Sequence, residues 1–328
     1  HHSPLKFLVS FAPIARVYDI IGDIHGHAEP LAALLVRLGY VKRGGAWRRP
    51  SPAHRVVFVG DYIDRGPGTR EVTEIVRDMV EAEIAVAIMG NHEYNAVAWH
   101  TRGAEGFPLR SHTAEHLRQH ERTLQSFHAD SDRQPPRELS NVLQWMRQLP
   151  LFFENEDVRV VHATWDDRRI ACLDTPTPLT DDRFLERSAI RGTVEHDTVT
   201  TLLKGTEVNL PPGNFYYDKE GTKRRTTRTR WWTPPPAEGS VLLSEIAMPP
   251  ADTQLGTVSV PAATLDIPGY EDPRPVFVGH YWLTGSPAPL TDRVACVDYS
   301  VANGGALCAY RYDGELPLRA DRFLCIPS

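Results

Sequence analysis

Three short apolar runs near the N terminus each end in a glycine that is followed at once by polar residues. The three segments are Gly22-Asp23-Ile24-His25-Gly26, Gly60-Asp61-Tyr62-Ile63-Asp64-Arg65-Gly66 and Gly90-Asn91-His92-Glu93. Two later runs end in His162 and in Gly279-His280. Asp, Asn and His form a mixed oxygen and nitrogen donor set, which suits Mn, Fe or Zn better than Ca. So many donors exceed the needs of one ion, so the pattern predicts two ions that share a carboxylate.

Two metal ions about 3.5–4 Å apart are the arrangement used for in-line displacement at phosphorus. Arg65 follows Asp61 by four residues, and its guanidinium fork fits phosphate oxygens without losing charge. A histidine such as His92 titrates near neutral pH and can protonate a leaving group, provided that a carboxylate fixes its tautomer. The residue types therefore favour hydrolysis of a phosphate ester or anhydride.

The elements that position these residues alternate between strand and helix. Strands are predicted over 17–21, 55–59 and 84–89, with helices over 29–38 and 69–80 between them. Near-continuous apolar strands separated by amphipathic helices are typical of βαβ units and a buried sheet. Ligands of such sheets bind beyond the carboxyl ends of the strands, where glycine permits a sharp turn.

The rest of the chain is less regular. Further strands are predicted over 158–161, 276–278, 294–297 and 307–312, and residues 100–150 are polar and helical in pattern. A hairpin is expected with arms 214–217 and 226–232 around the turn 218–221. Residues 233–275 are proline-rich and predicted to be irregular.

Composition excludes several classes of protein. The chain has 328 residues, a net charge of −6 and 41% hydrophobic residues, as expected of a globular protein with a sizeable core. The acidic balance argues against a stable nucleic-acid partner, and no apolar stretch is long enough for a membrane span. The cysteines at 172, 296, 308 and 325 predict buried thiols in a reducing, cytoplasmic compartment. Residues 1–15 are interpreted as a tag remnant with an N-terminal extension.

The three glycine-led motifs, in this order and at this spacing, resemble those of the calcineurin-like metallophosphoesterases. Within that family they resemble the phosphoprotein phosphatase branch, which includes bacterial serine/threonine phosphatases and symmetrical diadenosine tetraphosphatases. Asp23 and Asp61 are 38 residues apart, and Asp61 and Asn91 are 30 apart. The likeness is strong over 16–95 and returns in short segments at 158–163 and 276–312.

The resemblance implies a role for each matched residue. Metal ligands would be Asp23 and His25 for the first ion, Asp61 for both, and Asn91, His162 and His280 for the second. Arg65, with Asn91, would bind the substrate phosphate. A metal-bridging hydroxide would attack phosphorus in line, and His92, oriented by Asp64, would protonate the leaving oxygen. The cofactors would be two divalent metal ions. Mn is the preferred identity, and Fe, Zn, Ni and Co are the alternatives.

The implied fold is an α/β, αββα sandwich of two central mixed sheets flanked by helices. One catalytic domain would span 16–328, with insertions at about 100–150 and 165–275. The substrate would be a phosphorylated protein or small phosphoester. A dinucleoside polyphosphate such as diadenosine tetraphosphate is the alternative, and a non-catalytic scaffold that binds metal or phosphate is a third hypothesis.

Two departures from the family pattern affect the substrate assignment. His162 is followed by Ala163 where the family has glycine, and Tyr281-Trp282 replaces a small polar residue after His280. Family members need a second arginine, for which Arg228 and Arg230 in the basic run before Trp231-Trp232 are the candidates. Arg191 and Lys204 are weaker alternatives. A solvated hairpin with the Trp pair in the core is the simpler interpretation of this run.

Other polar residues have simpler interpretations. His112, His116 and His120 have helical spacing that can bind zinc, but a solvated helix face is favoured. Glu93 and Asp166-Asp167 are expected to orient backbone or ligands rather than to bind metal.

Overall fold

The computed structural model describes residues 17–210, 212–217, 221, 223–248, 255 and 257–328. Residues 1–15, which were interpreted as a tag remnant and extension, lie outside the described residues, and so does most of the turn predicted at 218–221.

The described strands and helices follow one another along the chain as two lists. The strands are β1 (Val17–Ile21), β2 (Val41–Arg43), β3 (Ala46–Arg48), β4 (His54–Phe58), β5 (Ala85–Ala87), β6 (Phe152–Glu154), β7 (Arg159–Val161), β8 (Glu207–Asn209), β9 (Tyr216–Tyr217), β10 (Lys223–Arg224), β11 (Thr226–Arg228), β12 (Ser240–Leu242), β13 (Ser259–Pro261), β14 (Val276–Val278), β15 (Val294–Cys296), β16 (Asp298–Tyr299), β17 (Ala306–Tyr312) and β18 (Phe323–Pro327). The α-helices are α1 (Ala28–Arg37), α2 (Thr69–Glu81), α3 (Asn91–His100), α4 (Ala114–Ser126), α5 (Arg137–Arg147), α6 (Asp167–Ile170), α7 (Asp182–Ser188), α8 (Val194–Lys204) and α9 (Leu243–Ile246).

Two mixed sheets form the centre of the molecule. In the first, β1, β4 and β5 run parallel, and β17 pairs antiparallel with β1, β16 and β18. In the second, β7, β14 and β15 run parallel, and β6 is antiparallel to β7. Each sheet therefore brings the carboxyl ends of three parallel strands to one edge.

The alternation of side chains along each strand separates the layers. Ile20 of β1, Val57 of β4 and Phe277 of β14 belong to the apolar cluster between the sheets. Their neighbours Ile21 and Phe58 belong instead to the larger core that includes α1, α2 and α5. Because successive residues of a strand point to opposite faces, apolar residues on both faces require a layer on each side. The expected sandwich with two central mixed sheets is confirmed.

The described residues between 207 and 261 form three small two-stranded sheets, separate from the two central ones. The predicted hairpin is partly wrong: Tyr216–Tyr217 pairs with Lys223–Arg224, whereas Thr226–Arg228 pairs with Glu207–Asn209. Local sequence indicates strands there but not their partners, because register depends on contacts with other segments. The Trp pair is buried, as the simpler interpretation expects. Residues 233–275 also contain β12, α9 and β13, so the expectation of an irregular segment is partly wrong.

The expected state of the cysteines is largely wrong. Cys308 and Cys325 lie opposite each other on β17 and β18 and form a disulfide. Cys172 is exposed, and Cys296 alone is a buried thiol. The two cysteines are 17 residues apart in the sequence. This separation alone does not predict a disulfide, because the distance between the cysteines depends on the register of the two strands.

Within the described residues, no helix has the length and apolar character needed to cross a membrane. The single catalytic domain with two insertions stays a prediction.

Substitution Phe277→Ala tests the layer between the sheets. The Phe277 ring is fully buried and lies 5.1 Å from the ring of Tyr310, between centroids. We expect the free energy of unfolding to fall by about 3–5 kcal/mol, because the lost burial is accompanied by a cavity. Urea unfolding measures this. Val36→Ala on the exposed side of α1, where Val36 is 62% exposed, is the control, and a loss no larger than the control's contradicts the assignment.

Candidate active site

The carboxyl edges of the two sheets meet, and this brings the motif residues together. The backbone N–H of Gly279, after β14, donates to the carbonyl of His162, after β7, at 2.9 Å. The ring of His162 in turn bonds through Nδ1 to the carbonyl of Val59, after β4, at 2.7 Å. These contacts join both sheets at the point where five strands release their polar residues.

Glycine is required at two positions where backbone approaches a carboxylate. A Cβ atom at Gly279 would lie 2.1 Å from Oδ1 of Asp23, and one at Gly90 would lie 2.2 Å from Oδ1 of Asp61. Any side chain at these positions would therefore displace a predicted metal ligand. The glycines that begin the motifs have a packing role as well as a conformational one.

Asp61 lies between two groups of donor atoms. Its Oδ2 is 3.6 Å from Nε2 of His25 and 3.4 Å from Nε2 of His162. Its Oδ1 accepts a hydrogen bond from the backbone N–H of His92 at 2.9 Å. One carboxylate thus faces a histidine from each side.

The two donor groups are compact and share Asp61. Donor atoms of His25, Asp61 and His92 lie within 4.8 Å of one another, and so do those of Asp61, His162 and His280. Oδ1 of Asn91 lies 3.1 Å from Nε2 of His162 and 2.8 Å from Nδ1 of His280. Both groups are buried.

Asp23 reaches the same place by a different contact. Its buried carboxylate accepts the backbone N–H of His280, with Oδ2 at 3.1 Å. Its role as a ligand of the first ion stays a prediction, as do the other assigned roles.

The donors fit divalent metal ions. Nε2 of His25 is buried and has no hydrogen-bond partner within the part of the chain that the structure describes. An imidazole nitrogen left without a partner in a buried site is costly unless an ion binds it. The mixture of carboxylate, amide and imidazole suits Mn, Fe or Zn.

Buried carboxylates crowd this region. Burial, followed by the charges of Asp298 and Asp61, raises the pKa of Asp23. Burial and the charge of Asp61 raise the pKa of Glu93 to about 7. Burial and the nearby His92 lower the pKa of His25 to about 3. Cations between these groups would stabilise the ionised carboxylates.

Several non-glycine residues of the site have a left-handed backbone conformation, which residues with a side chain rarely adopt. His25, Asp61, Asp64, Arg65 and His280 have φ of 47°, 55°, 67°, 61° and 70°. Non-glycine residues in the left-handed region cost about 1–3 kcal/mol each, and they cluster at functional sites because the surroundings hold them there.

His92 is oriented by Asp64. Nδ1 of His92 lies 2.5 Å from Oδ2 of Asp64, and both side chains are buried. Burial alone would lower the pKa of His92, but the charge of Asp61 and the bond to Asp64 raise it. The carboxylate thus fixes the tautomer that leaves Nε2 of His92 for other partners.

Two residues that support Asp64 were missed from the sequence. Oγ1 of Thr123 donates to Oδ1 of Asp64 at 2.5 Å, and Nδ1 of His120 lies 3.1 Å from the same oxygen. The signal was their i, i+3 spacing on α4, which places both on one helix face. No local feature of the sequence predicts that this face of α4 packs on the second motif.

The three regularly spaced histidines do not converge. The ring of His112 stacks on Trp99 with centroids 3.6 Å apart, and Nδ1 of His116 lies 2.7 Å from the carbonyl of Ser111. His120 is buried beside Asp64, so the expectation of a solvated face is wrong for this residue.

Glu93 and Asp298 support backbone at the site. The Glu93 carboxylate accepts the N–H groups of Gly90, Asp61 and Tyr62 at 3.0, 2.8 and 2.8 Å. Oδ2 of Asp298 accepts the N–H of Trp282 at 2.7 Å. The orienting role expected for Glu93 agrees with this geometry, and Asp298 was not singled out because one Asp after a strand is a common turn residue.

The hydrogen bonds of Asp166 and Asp167 go to residues other than the predicted metal ligands, among the residues that the structure describes. Asp166 caps α6 by accepting the N–H of Arg168 at 2.9 Å, and Asp167 accepts the indole N–H of Trp165 at 3.0 Å.

Cations lie next to the donor groups. The Arg65 guanidinium lies 5.0 Å from the centre of the Trp282 ring, and Trp282 lies 5.9 Å from the ring of His25. Nη1 of Arg228 donates to the carbonyl of His280 at 2.8 Å. Arg230 is exposed, and among the described residues no hydrogen bond joins its side chain to this site.

These features define a class of protein. Two donor groups that share a carboxylate, at the joined edges of two packed sheets and beside guanidinium groups, are typical of metal-dependent phosphate chemistry. The chain belongs to the calcineurin-like phosphoesterase family, whose model matches residues 18–229. The family expected from the three motifs is confirmed.

Curated relatives match a short part of the chain. A bis(5'-nucleosyl)-tetraphosphatase PrpE (asymmetrical) of Oceanobacillus iheyensis is 45% identical over 74 residues, which is 23% of this chain and 29% of that protein. The PrpE of Halalkalibacterium halodurans is 41% identical over 75 residues, 23% of this chain and 30% of that one. The chain thus spans less than a third of the length of these relatives.

Solved structures with related folds share little sequence. A cold-active protein-tyrosine phosphatase of a psychrophile, Shewanella sp., has a TM-score of 0.48 at 17% identity over 94% of this chain and 81% of that one. A protein serine/threonine phosphatase from Saccharomyces cerevisiae has a TM-score of 0.46 at 15% identity over 95% and 79%.

Substitution Gly279→Ala tests the close approach at Asp23. We expect the added methyl group to displace the Asp23 carboxylate and to weaken binding of the second equivalent of Mn by at least about tenfold, since misplaced ligands bind metal poorly. Equilibrium dialysis with Mn measures this. Gly285→Ala, where a Cβ would meet open space, controls for the glycine change itself. Equal Mn binding by the two variants would contradict the prediction.

Substitution His120→Gln tests the support of Asp64. We expect turnover of a phosphoester to fall by about tenfold while bound Mn stays the same, because a less well-held Asp64 orients His92 poorly. Turnover and metal content measure the two effects separately. Gln125→Ala, at an exposed position on the same helix, would show no such loss, and a parallel loss of metal would instead indicate a general structural defect.

Proposed function

We propose that the protein is a dinuclear-metal-dependent phosphatase that hydrolyses phosphomonoesters. The observation that carries the proposal is the position of Asp61, whose carboxylate faces His25 on one side and His162 on the other. A shared carboxylate between two groups of donors is the requirement for a two-ion centre that acts at phosphorus.

Metal binding would use the residues assigned from the motifs. Asp23, His25 and Asp61 would hold one ion, and Asp61, Asn91, His162 and His280 the other. When bound, the ions supply Lewis acidity to phosphoryl oxygens and lower the pKa of water. Mn is the first candidate, and Fe, Zn, Ni and Co suit the same donors.

The chain's own side chains would bind and orient the phosphate. Arg65 presents its guanidinium near His25 through the shared neighbour Trp282, and it would pair with phosphoryl oxygens in a forked hydrogen bond. Arg228, held at the carbonyl of His280, would add positive charge on the other side. Arg230 is the weaker candidate because it is exposed.

Proton transfer to the leaving oxygen is assigned to His92. With Nδ1 bonded to Asp64, its Nε2 would hold the proton that the leaving group takes up. Asp64 would position His92 rather than accept the proton itself.

Dinucleoside polyphosphates are the second candidate substrate. The two relatives named above as bis(5'-nucleosyl)-tetraphosphatases share over 40% identity with this chain across about 75 residues. This likeness supports the same chemistry at a phosphoanhydride.

The cytoplasmic location stays a prediction. The Cys308–Cys325 disulfide does not support it, because disulfides are rare in reducing compartments.

The substrate class is tested by hydrolysis of three compounds with added Mn and with chelator. The compounds are p-nitrophenyl phosphate, a phosphopeptide and diadenosine tetraphosphate. Turnover of the first two that is lost with chelator is the expected result. Preference for the dinucleotide would favour the second candidate, and bound metal without any turnover would favour the scaffold hypothesis.

Substitution His92→Asn separates catalysis from metal binding. We expect turnover of phosphopeptide to fall by about 10²–10⁴-fold, the usual contribution of a general acid, while most bound Mn remains. His128→Asn makes the same change at an exposed position and is the matched control. Unchanged turnover of the His92 variant would exclude the assigned proton donor.

A further inference from the structure

The turn after His280 places a tryptophan against two residues of the site. The Arg65 guanidinium lies over the Trp282 indole, 5.0 Å from the centre of the ring. The ring of His25 lies 5.9 Å from the same indole, between centroids, on a plane tilted by 53°. His25 is buried, and Trp282 and Arg65 are half-buried. One indole therefore adjoins both the proposed phosphate-binding group and a predicted metal ligand.

The backbone of Trp282 has a conformation that a bulky residue rarely adopts. Its φ is 54°, in the left-handed region that favours glycine. His280, two residues earlier, is also left-handed, with a φ of 70°. Such conformations persist only where the surroundings hold them, and they cluster at sites where one side-chain position has a function. The turn therefore keeps the indole in place against a local conformational cost.

Hydrogen bonds from the end of β16 hold this turn. Oδ2 of buried Asp298 accepts the backbone N–H of Trp282 at 2.7 Å, and the carbonyl of Asp298 accepts the N–H of Leu283 at 3.0 Å. Oγ of Ser300 donates to the carbonyl of Leu283 at 3.0 Å. Because these bonds fix two consecutive residues, the backbone that carries the indole has little freedom to move away from Arg65.

The surroundings of Trp282 differ from those of a core tryptophan. Trp231 and Trp232 belong to the large apolar cluster around the sheets. Within the part of the chain that the structure describes, Trp282 belongs to none of the three apolar clusters. Its ring neighbours are a guanidinium and an imidazole. Burial of apolar surface therefore does not account for a large aromatic residue in a strained turn.

A guanidinium over an indole is restrained in a way that suits phosphate binding. The negative face of the ring attracts the cation, and among aromatic side chains tryptophan attracts it most strongly. A forked pair of hydrogen bonds to phosphoryl oxygens needs the guanidinium plane in one orientation. The long arginine side chain loses rotamer entropy when that orientation is fixed. An indole that already limits the rotamers would reduce this loss when phosphate binds.

We propose that Trp282 is a positioning residue, which holds the Arg65 guanidinium in the orientation that binds a phosphoryl group. This inference rests on the proposed function, in which Arg65 binds the phosphate of the substrate. Trp282 has no part in bond making or proton transfer and acts through Arg65. The segment that carries Trp282 departs from the family pattern, so the support is a feature of this chain and lies outside the three motifs.

The first test measures phosphate binding without turnover, by equilibrium dialysis of the Mn-loaded protein against radiolabelled inorganic phosphate. In Trp282→Leu we expect the dissociation constant of phosphate to rise about tenfold, because an aliphatic side chain offers the guanidinium no aromatic face. Trp282→Phe keeps such a face, and we expect a rise of no more than about threefold. Trp47→Leu makes the same change on β3, in the separate β2–β3 sheet, and is the matched control.

The second test asks whether Trp282 acts through Arg65. The value of kcat/KM for p-nitrophenyl phosphate is compared in Trp282→Leu, in Arg65→Gln and in the variant with both changes. We expect Trp282→Leu to lower kcat/KM about tenfold, mainly by raising KM, since it weakens binding rather than proton transfer. In the Arg65→Gln background the same change is expected to cost less than about twofold, because residues that act through one another are not additive.

Four outcomes overturn the assignment. These are a phosphate dissociation constant in Trp282→Leu equal to that of the control, equal weakening in the Leu and Phe variants, the full loss of kcat/KM in the Arg65→Gln background, or no phosphate binding by the unsubstituted protein. Loss of bound Mn from both Trp282 variants also overturns it, because the indole would then act through His25.

Failure of the proposed function is distinguishable from failure of this inference. An unsubstituted protein that binds phosphate but does not hydrolyse p-nitrophenyl phosphate with Mn contradicts the proposed function alone, because dialysis compares the variants without turnover. Urea unfolding curves show whether each variant is folded. If Trp282→Leu is not, Trp282→Met, with an unbranched side chain, takes its place with the same expected results.

Discussion

The burial of several carboxylates at one meeting point of two sheets is the constraint on which the rest of the structure depends. Asp23, Asp61, Glu93 and Asp298 are buried together, and burial, with a smaller contribution from the charge of Asp61, raises the pKa of Asp23, Glu93 and Asp298. Only Asp61 is held well below its usual pKa; burial opposes this, but the charges of nearby histidines prevail. Such a site is stable only if backbone N–H groups and cations compensate it. The hydrogen bonds of Glu93 to three N–H groups meet part of this need, and divalent ions would meet the remainder.

The two-sheet architecture follows from the same constraint. A single sheet would bring its strand ends to one line, whereas two sheets joined by the bond from the His162 ring to the carbonyl of Val59 surround the donors from both sides. The close approach of Gly279 to Asp23 and of Gly90 to Asp61 shows that backbone, not side chains, fills the space between the ligands. The apolar layer around Phe277 holds the sheets at the separation that these contacts need.

The sequence predicted the parts of this site that are local. A buried strand, a glycine and a polar group are adjacent in the chain, so the strand ends and most candidate ligands could be assigned from spacing alone. What failed depends on distant segments. His120 and Thr123 meet Asp64 across 56 and 59 residues, and Cys308 meets Cys325 only through the register of β17 with β18. The predicted hairpin paired residues 214–217 with 226–232, but residues 216–217 pair with 223–224 instead. The register there is set by competition between possible partner strands.

Under the proposed function, selection among phosphate substrates would depend on residues outside the three motifs. The motif residues are attached to the ends of central strands, where the packed sheets hold them rigidly. Trp282 beside Arg65 and Arg228 beside Tyr281 come instead from segments where this chain departs from the family pattern. A constant metal centre with variable surroundings can change substrate without changing chemistry, because the predicted metal ligands and the side chains proposed to recognise the remainder of the substrate belong to different elements of the fold.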